Sequence, residues 1–411
     1  MRRKFALAAA AALLLLGSAP RRHVAFTGSF KIDVPGGPFI SASRLSMNAA
    51  GVEGPVSYSV LGAGRIDRNQ YVAPEVSRKT TVTLIGSARG AVALQRIEIV
   101  PAPRANRPLI AVATYRNGIA LHDPRTFALI GYVPIGGAPG DVAFGKTGDI
   151  FAPDTDGDSL ISILRAPWDV RTTRGVTLGN EVAVENTSGS VFVSNRDAGG
   201  FGALTRISAA GRVTRVKTGA ISEGLAIDPA RKLAYVGDVN MRSVAQVDTR
   251  TMRVVRTIPS VERTFGIALD AKADRLFAVS NTSPSMPSHG GYVAAIDLRG
   301  HAPHIVLRSA RMVFPLGVAL DRRHSRLFVT DEAASAVYVL SSKTLKAVHA
   351  PLRTCATPWR PSVFSGRLYV PCSNADKVDV FDVRSLRRVR GAPFATGGYP
   401  LSVAVWKPPT R

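Results

Sequence analysis

A chain of 411 residues with 45 % apolar and 20 % charged residues has room for two or three domains and too much apolar content for a disordered polymer. Its 53 Lys+Arg against 29 Asp+Glu leave a formal net charge of +24, which favours anionic partners. The sequence has no basic helix, no ladder of aromatic and basic residues and no nucleic-acid motif, which argues against specific nucleic-acid binding. The excess is spread along the chain: residues 1–107 hold 15 Lys+Arg and 5 Asp+Glu, and the rest shows the same bias.

Arg2, Arg3 and Lys4 precede an apolar run from Phe5 to Leu16, then Gly17 and Ala19. A charged start, an apolar stretch too short to span a bilayer and small residues at its end mark a signal peptide, so residues 1–19 are expected to direct export. Pro20 disfavours cleavage directly after Ala19, which leaves open whether the segment is cut or kept as an anchor. Arg2-Arg3-Lys4-Phe5 fits either the general or the twin-arginine route. The expected destination is the periplasm or the cell exterior. Membrane contact is expected only through this segment or the basic surface.

Residues 24–103 alternate apolar and polar positions over short runs such as Val56–Val60 and Thr81–Ile85, the pattern of strands with one face in a core. Gly62-Ala63-Gly64-Arg65-Ile66-Asp67 followed by Gln70-Tyr71-Val72-Ala73-Pro74 resembles bacterial Ig-like families. There a turn and strand precede a Y-x-A-P segment and a last strand pair, here Thr80–Ile85 and Ala91–Val100. The resemblance implies a β-sandwich serving as spacer or adhesive module. Pro101 to Pro108 reads as a stiff linker, which places a β-sandwich at 24–103, a linker at 104–108 and a second domain at 109–406.

From residue 109 a unit repeats. Val112, Ala152, Val193, Val236, Ala278, Val329 and Val370 end equivalent strands at spacings of 40 to 43 residues, once 51. Each unit continues with a second strand, a turn begun by Asp (Asp123-Pro124-Arg125-Thr126, Asp248-Thr249-Arg250-Thr251), another strand, and a short strand of small and branched residues such as Leu225-Ala226-Ile227. Seven units of four strands predict an all-β, seven-bladed β-propeller. Val193-Ser194-Asn195, Ile296-Asp297 and Gly137-Ala138-Pro139 resemble the YVTN family of propeller repeats. The phase of the repeat pairs the last strand, Leu401 to Trp406, with the first, Leu109 to Val112, and closes the ring.

Alternating strand direction gathers two sets of loops on one face around the central channel. The residues expected to bind ligand there are Asp141, Glu181, Glu223, Arg263, Arg311, Trp359, Arg360 and Tyr399. Asp141, Glu181 and Glu223 have two readings: polar lining of a wet channel, which is preferred, or metal ligands and a general acid–base pair. Asp154, Asp156 and Asp158 alternate as in calcium loops, but Ser159 and Arg165 stand where Gly and Glu belong. A solvated turn is therefore preferred to a calcium or magnesium site, and no cofactor is expected. The insertion Asn281–Gly291, with His289, projects on the same face. Cys355 and Cys372, in an exported chain, are expected to form a disulfide.

The expected function is that of an exported, monomeric binding or scaffold protein whose ligand is a protein or an anionic glycan. Its rival is a hydrolase of lactones or similar esters with a metal or carboxylates at the channel mouth, an activity found among propellers that this one resembles.

Overall fold

The computed structural model describes residues 30–34, 36–197, 199–281 and 290–409. Residues 1–19, expected to direct export, and nearly all of the insertion with His289 lie outside the described residues.

Six separate four-stranded antiparallel sheets succeed one another along the chain, the first from Ala143–Phe144 to Trp168–Thr177 and the last from Ser362–Phe364 to Phe394–Ala395. A further set of four joins the two ends: Pro400–Trp406, then Leu109–Thr114, Gly118–His122 and Leu129–Val133. This set is called the first unit, and the others are counted from it as second to seventh. Leu109 pairs with Trp406 and Val112 with Val403, so the strand that closes the ring comes from the far end of the sequence.

The strands look as they do for a plain reason. Each unit is packed on both faces by its neighbours, so its second and third strands are largely buried rather than alternating. Leu109–Thr114, Gly118–His122 and Ser190–Asn195 are buried at every position. The outermost strands face water on one side, and Ala347–Arg353 is exposed at all positions but Leu352. The innermost strands crowd the axis and are rich in Gly, Ala and Val. A Cβ on Gly266 would lie 2.6 Å from the Leu316 carbonyl of the next inner strand.

The N-terminal region is a mixed-sheet assembly. Thr80–Ala88 pairs antiparallel with Ala91–Val100 and with Ser57–Leu61, whereas Phe39–Ile40 runs parallel to Ala91–Val100. Arg44–Ser46, Gln70–Val72 and Arg65–Asp67 form a three-stranded sheet across the core. Tyr71 fills that core; its hydroxyl donates to Ala63 O at 2.8 Å. Gly64 takes φ +99°, and a Cβ there would meet the Tyr71 hydroxyl at 2.5 Å, which explains the Gly-x-Gly spacing before the tyrosine.

Residues 101–108 form no strand, yet they are fastened to the repeats. Buried Arg165 donates to Arg104 O at 2.7 Å and Arg107 O at 2.9 Å, and its guanidinium lies 4.9 Å over the Trp406 ring. Phe39 pairs with Tyr132, so the N-terminal sheet runs on through Leu129–Val133 into the first unit as one eight-stranded sheet. One apolar cluster holds Phe39, Leu45 and Tyr71 of the N-terminal region together with Ile110, Tyr132 and Phe394 of the repeats.

Candidate functional site

The candidate site is assembled where the chain enters the innermost strands. Asp141 precedes Ala143–Phe144 of the second unit, Glu181 lies in Gly179–Glu185 of the third, and Glu223 lies in Ser222–Asp228 of the fourth. Arg360 precedes Ser362–Phe364 of the seventh unit and reaches across the axis to all three of those units. Its guanidinium donates to Gly140 O at 2.8 Å and Asn180 Oδ1 at 2.9 Å, pairs with Glu181 Oε1 at 2.9 Å, and comes within 3.6 Å of Glu223 Oε2.

Every oxygen of the three carboxylates has a partner. Asp141 accepts the backbone N–H groups of Val142 at 2.8 Å and Val182 at 2.9 Å. The second Glu181 oxygen accepts Leu225 N–H at 2.6 Å, from the next inner strand. Glu223 Oε1 pairs with Arg196 at 2.7 Å, and its Oε2 accepts from the Asn180 amide. Asp141 and Glu181 thus each bond the inner strand of the following unit.

Burial holds the Asp141 carboxyl above the usual carboxylate range against the pull of Arg360, the Ser402 hydroxyl and two backbone amides. Burial likewise pushes Glu181 up to about 8; Arg360 opposes the rise and the neighbouring Asp141 and Glu223 add to it. Beside this network is a cavity of about 140 Å³, lined by Asp141, Glu181, Arg360 and Ser402 with Gly266 and Gly317. Small-molecule sites typically have several hundred Å³, so this volume suits a few waters better than a sugar-sized ligand.

Of the other expected residues only Trp359 touches this cluster, with the Arg360 guanidinium 5.8 Å over its ring. Tyr399 lies on the rim with Tyr115, their ring centroids 6.3 Å apart, and Arg116 lies 5.6 Å over the Tyr399 ring. Arg311 donates to Gly290 O at 2.9 Å. Trp359 packs edge-on against Phe265 at 6.3 Å. Arg263 takes φ +50° and its carbonyl accepts Asn281 N–H at 3.3 Å.

The carboxylates of Asp154, Asp156 and Asp158 turn to separate partners. Asp154 accepts Ala138 N–H at 3.1 Å and is enclosed by Gly137 and Gly157, where a Cβ would lie 2.2 and 2.1 Å from its oxygens. Asp156 accepts the Tyr115 hydroxyl at 2.5 Å, and Asp158 accepts Thr177 Oγ1 at 2.7 Å. Among the described residues no three His, Cys, Asp or Glu side chains are grouped as a metal would need. Cys355 and Cys372 are joined by a disulfide, their Cα atoms 5.6 Å apart.

Sequence reasoning missed Asn180 and Arg196. Asn180 lies beside Glu181, and Arg196 follows the Val193-Ser194-Asn195 strand end, but the phase of a repeat says which loop a residue occupies and not whether its side chain turns to the axis.

No protein-family profile matches the chain, and no curated protein sequence matches it. Solved structures do. A protein of unknown function from Desulfotomaculum acetoxidans aligns with a TM-score of 0.60 at 14% identity, over 74% of this chain and 100% of its own. The fold is a β-propeller. A candidate 6-phosphogluconolactonase from Bacteroides fragilis gives 0.58 at 12% identity over 74% of this chain and 98% of its own. Hydrazine synthase from Kuenenia stuttgartiensis gives 0.57 at 13% over 74% and 92%. At such identities the likeness concerns the fold alone.

Proposed function

We propose that this chain is an exported binding or scaffold protein. In this reading a seven-bladed, YVTN-like propeller carries an Ig-like β-sandwich on its first blade and works as a monomer. Its loop face, including the rim around Tyr115, Arg116 and Tyr399, engages a protein or an anionic glycan. The observation that carries the reading is how the axis carboxylates are held: five of the six oxygens of Asp141, Glu181 and Glu223 meet backbone amides, Asn180 or Arg196, and the sixth, Glu181 Oε1, stands in an ion pair with Arg360 without a hydrogen bond from its Nε. A metal ligand must turn an oxygen to the ion. These carboxylates instead bond one unit to the next. The Cys355–Cys372 bridge supports an oxidising destination, periplasmic or extracellular.

The rival reading, a lactonase-like hydrolase, draws on the description of the Bacteroides neighbour. The two separate in one assay. Purified protein is incubated with γ- and δ-lactones, 6-phosphogluconolactone among them, with magnesium, with calcium or with chelator. The binding reading expects hydrolysis at the rate of the buffer blank. Turnover that is abolished in Glu181→Gln while the melting temperature holds would install the hydrolase instead.

A further inference from the structure

Charge is divided between the two faces of the propeller far more sharply than along its sequence. The turns joining first to second and third to fourth strands, counted with residues 101–108 and 407–409 that occupy the same position in the first unit, carry nineteen Lys and Arg against three Asp. The loops of the opposite face, which surround the axis, carry six Arg against seven Asp and Glu among the described residues. Some of the nineteen are neutralised: Arg231, Lys232, Arg299, Arg322 and Arg388 stand in ion pairs. Asp248 and Asp382, at strand ends beside the turns, accept turn amides. The first, sixth and seventh units remain the richest in free cations. Lys272, Arg323, Lys343, Lys346, Arg384 and Arg387 are exposed and form no ion pair among the described residues.

We infer that this turn face docks electrostatically on an anionic phospholipid surface and holds the opposite loop face outward. Three features favour a bilayer over other polyanions. The cations sit on short turns around a ring, which presents them over a broad surface rather than along a groove that could track a polymer. None of the exposed large hydrophobic residues, such as Tyr115, Met241 and Val255, lies on these turns, so contact stays at the headgroup level without insertion. The N-terminal region pairs with the outermost strand of the first unit, Leu129–Val133, at the edge of the ring. Attraction of this kind falls off within a Debye length and is lost in salt. The inference stands apart from the loop-face reading and does not depend on it.

The test is co-sedimentation of the full chain with vesicles of phosphatidylcholine alone or with about one third phosphatidylglycerol, in low and in high salt. The inference expects binding to the anionic vesicles only, lost at about 0.5 M salt. K343E/K346E/R384E/R387E should weaken partition about tenfold or more, and a second set, K272E/R323E, should weaken it in proportion. R242E/R353E, on the loop face, should bind as the parent does. Equal binding to phosphatidylcholine would assign the contact to the apolar N-terminal run and overturn the inference. So would loop-face and turn-face variants that weaken alike. Retention on immobilised heparin without vesicle binding would overturn it in favour of a soluble polyanion.

Discussion

Glu181 shows how much of the site a sequence can announce. Its place at the start of an inner strand follows from the repeat, and so does its companionship with Asp141 and Glu223. Its bond to Leu225 N–H does not, because that depends on how far one unit is turned against the next. The same dependence hid Asn180, whose amide lies between Arg360 and Glu223. The raised pKa of Glu181 has a consequence for stability. Between its ordinary value of 4.5 and about 8 the folded chain holds a proton that the unfolded chain has released. Stability from this group is therefore complete below about pH 4.5 and declines as pH rises toward 8, by roughly 1.4 kcal/mol per unit for one proton. Urea midpoints measured from pH 5 to 8 should fall more steeply in the parent than in Glu181→Gln. Parallel profiles would mean that Glu181 ionises as freely as an exposed carboxylate.

At the scale of elements, the seventh unit is secured at both ends of its strands. Cys355 and Cys372, 17 residues apart, close a loop on the loop face, and removing the bridge by C355S/C372S should cost about 3 kcal/mol in the chain-entropy picture. A denaturation midpoint unchanged by reduction would show that the unfolded chain gains nothing from the loss of the bridge. On the turn face, Arg326 begins the second strand of the sixth unit and donates to Val383 O and Arg384 O of the seventh. Arg275 and Arg367 hold the same position and reach the Ser342 and Pro124 carbonyls of their own next units. Arginine at this repeat position is a strap between blades, which accounts for part of the basic excess. Arg326→Met keeps the stem and loses the donors, and should destabilise by about 1–3 kcal/mol, measured by urea unfolding. The repeat makes this position legible in sequence as Arg-Leu-Phe or Arg-Leu-Tyr, whereas the partner carbonyls are not legible, because backbone acceptors leave no mark on residue identity.

At the scale of the whole molecule, the junction between N-terminal region and propeller holds contacts that composition does not announce. The run from Pro101 to Pro108 has the composition of a linker, yet the N-terminal sheet continues into the first unit through the Phe39–Tyr132 pairing and shares its apolar core. A two-residue strand, Phe39–Ile40, makes that connection, and its brevity explains why no periodicity could reveal it. Calorimetry should accordingly record one cooperative transition for N-terminal region and propeller together. Two separated transitions would mean that the shared core does not couple them. Charge took a similar course: uniform along the chain, it separates by face only once strand direction sends alternate turns to opposite sides.

At the axis, the carboxylates and Arg360 fasten the ring together. Arg360 bridges from the seventh unit to the second, third and fourth, so its loss would leave Asp141, Glu181 and Glu223 with less compensation. The most direct test is urea unfolding at pH 8 of Arg360→Ala, Glu181→Gln and the double variant. Arg360→Ala should lose about 3–5 kcal/mol, Glu181→Gln should lose almost nothing, and adding Glu181→Gln to Arg360→Ala should return about 1–3 kcal/mol. An Arg360→Ala protein that unfolds at the parent midpoint, or a double variant no more stable than Arg360→Ala alone, would contradict the structural role assigned to this network.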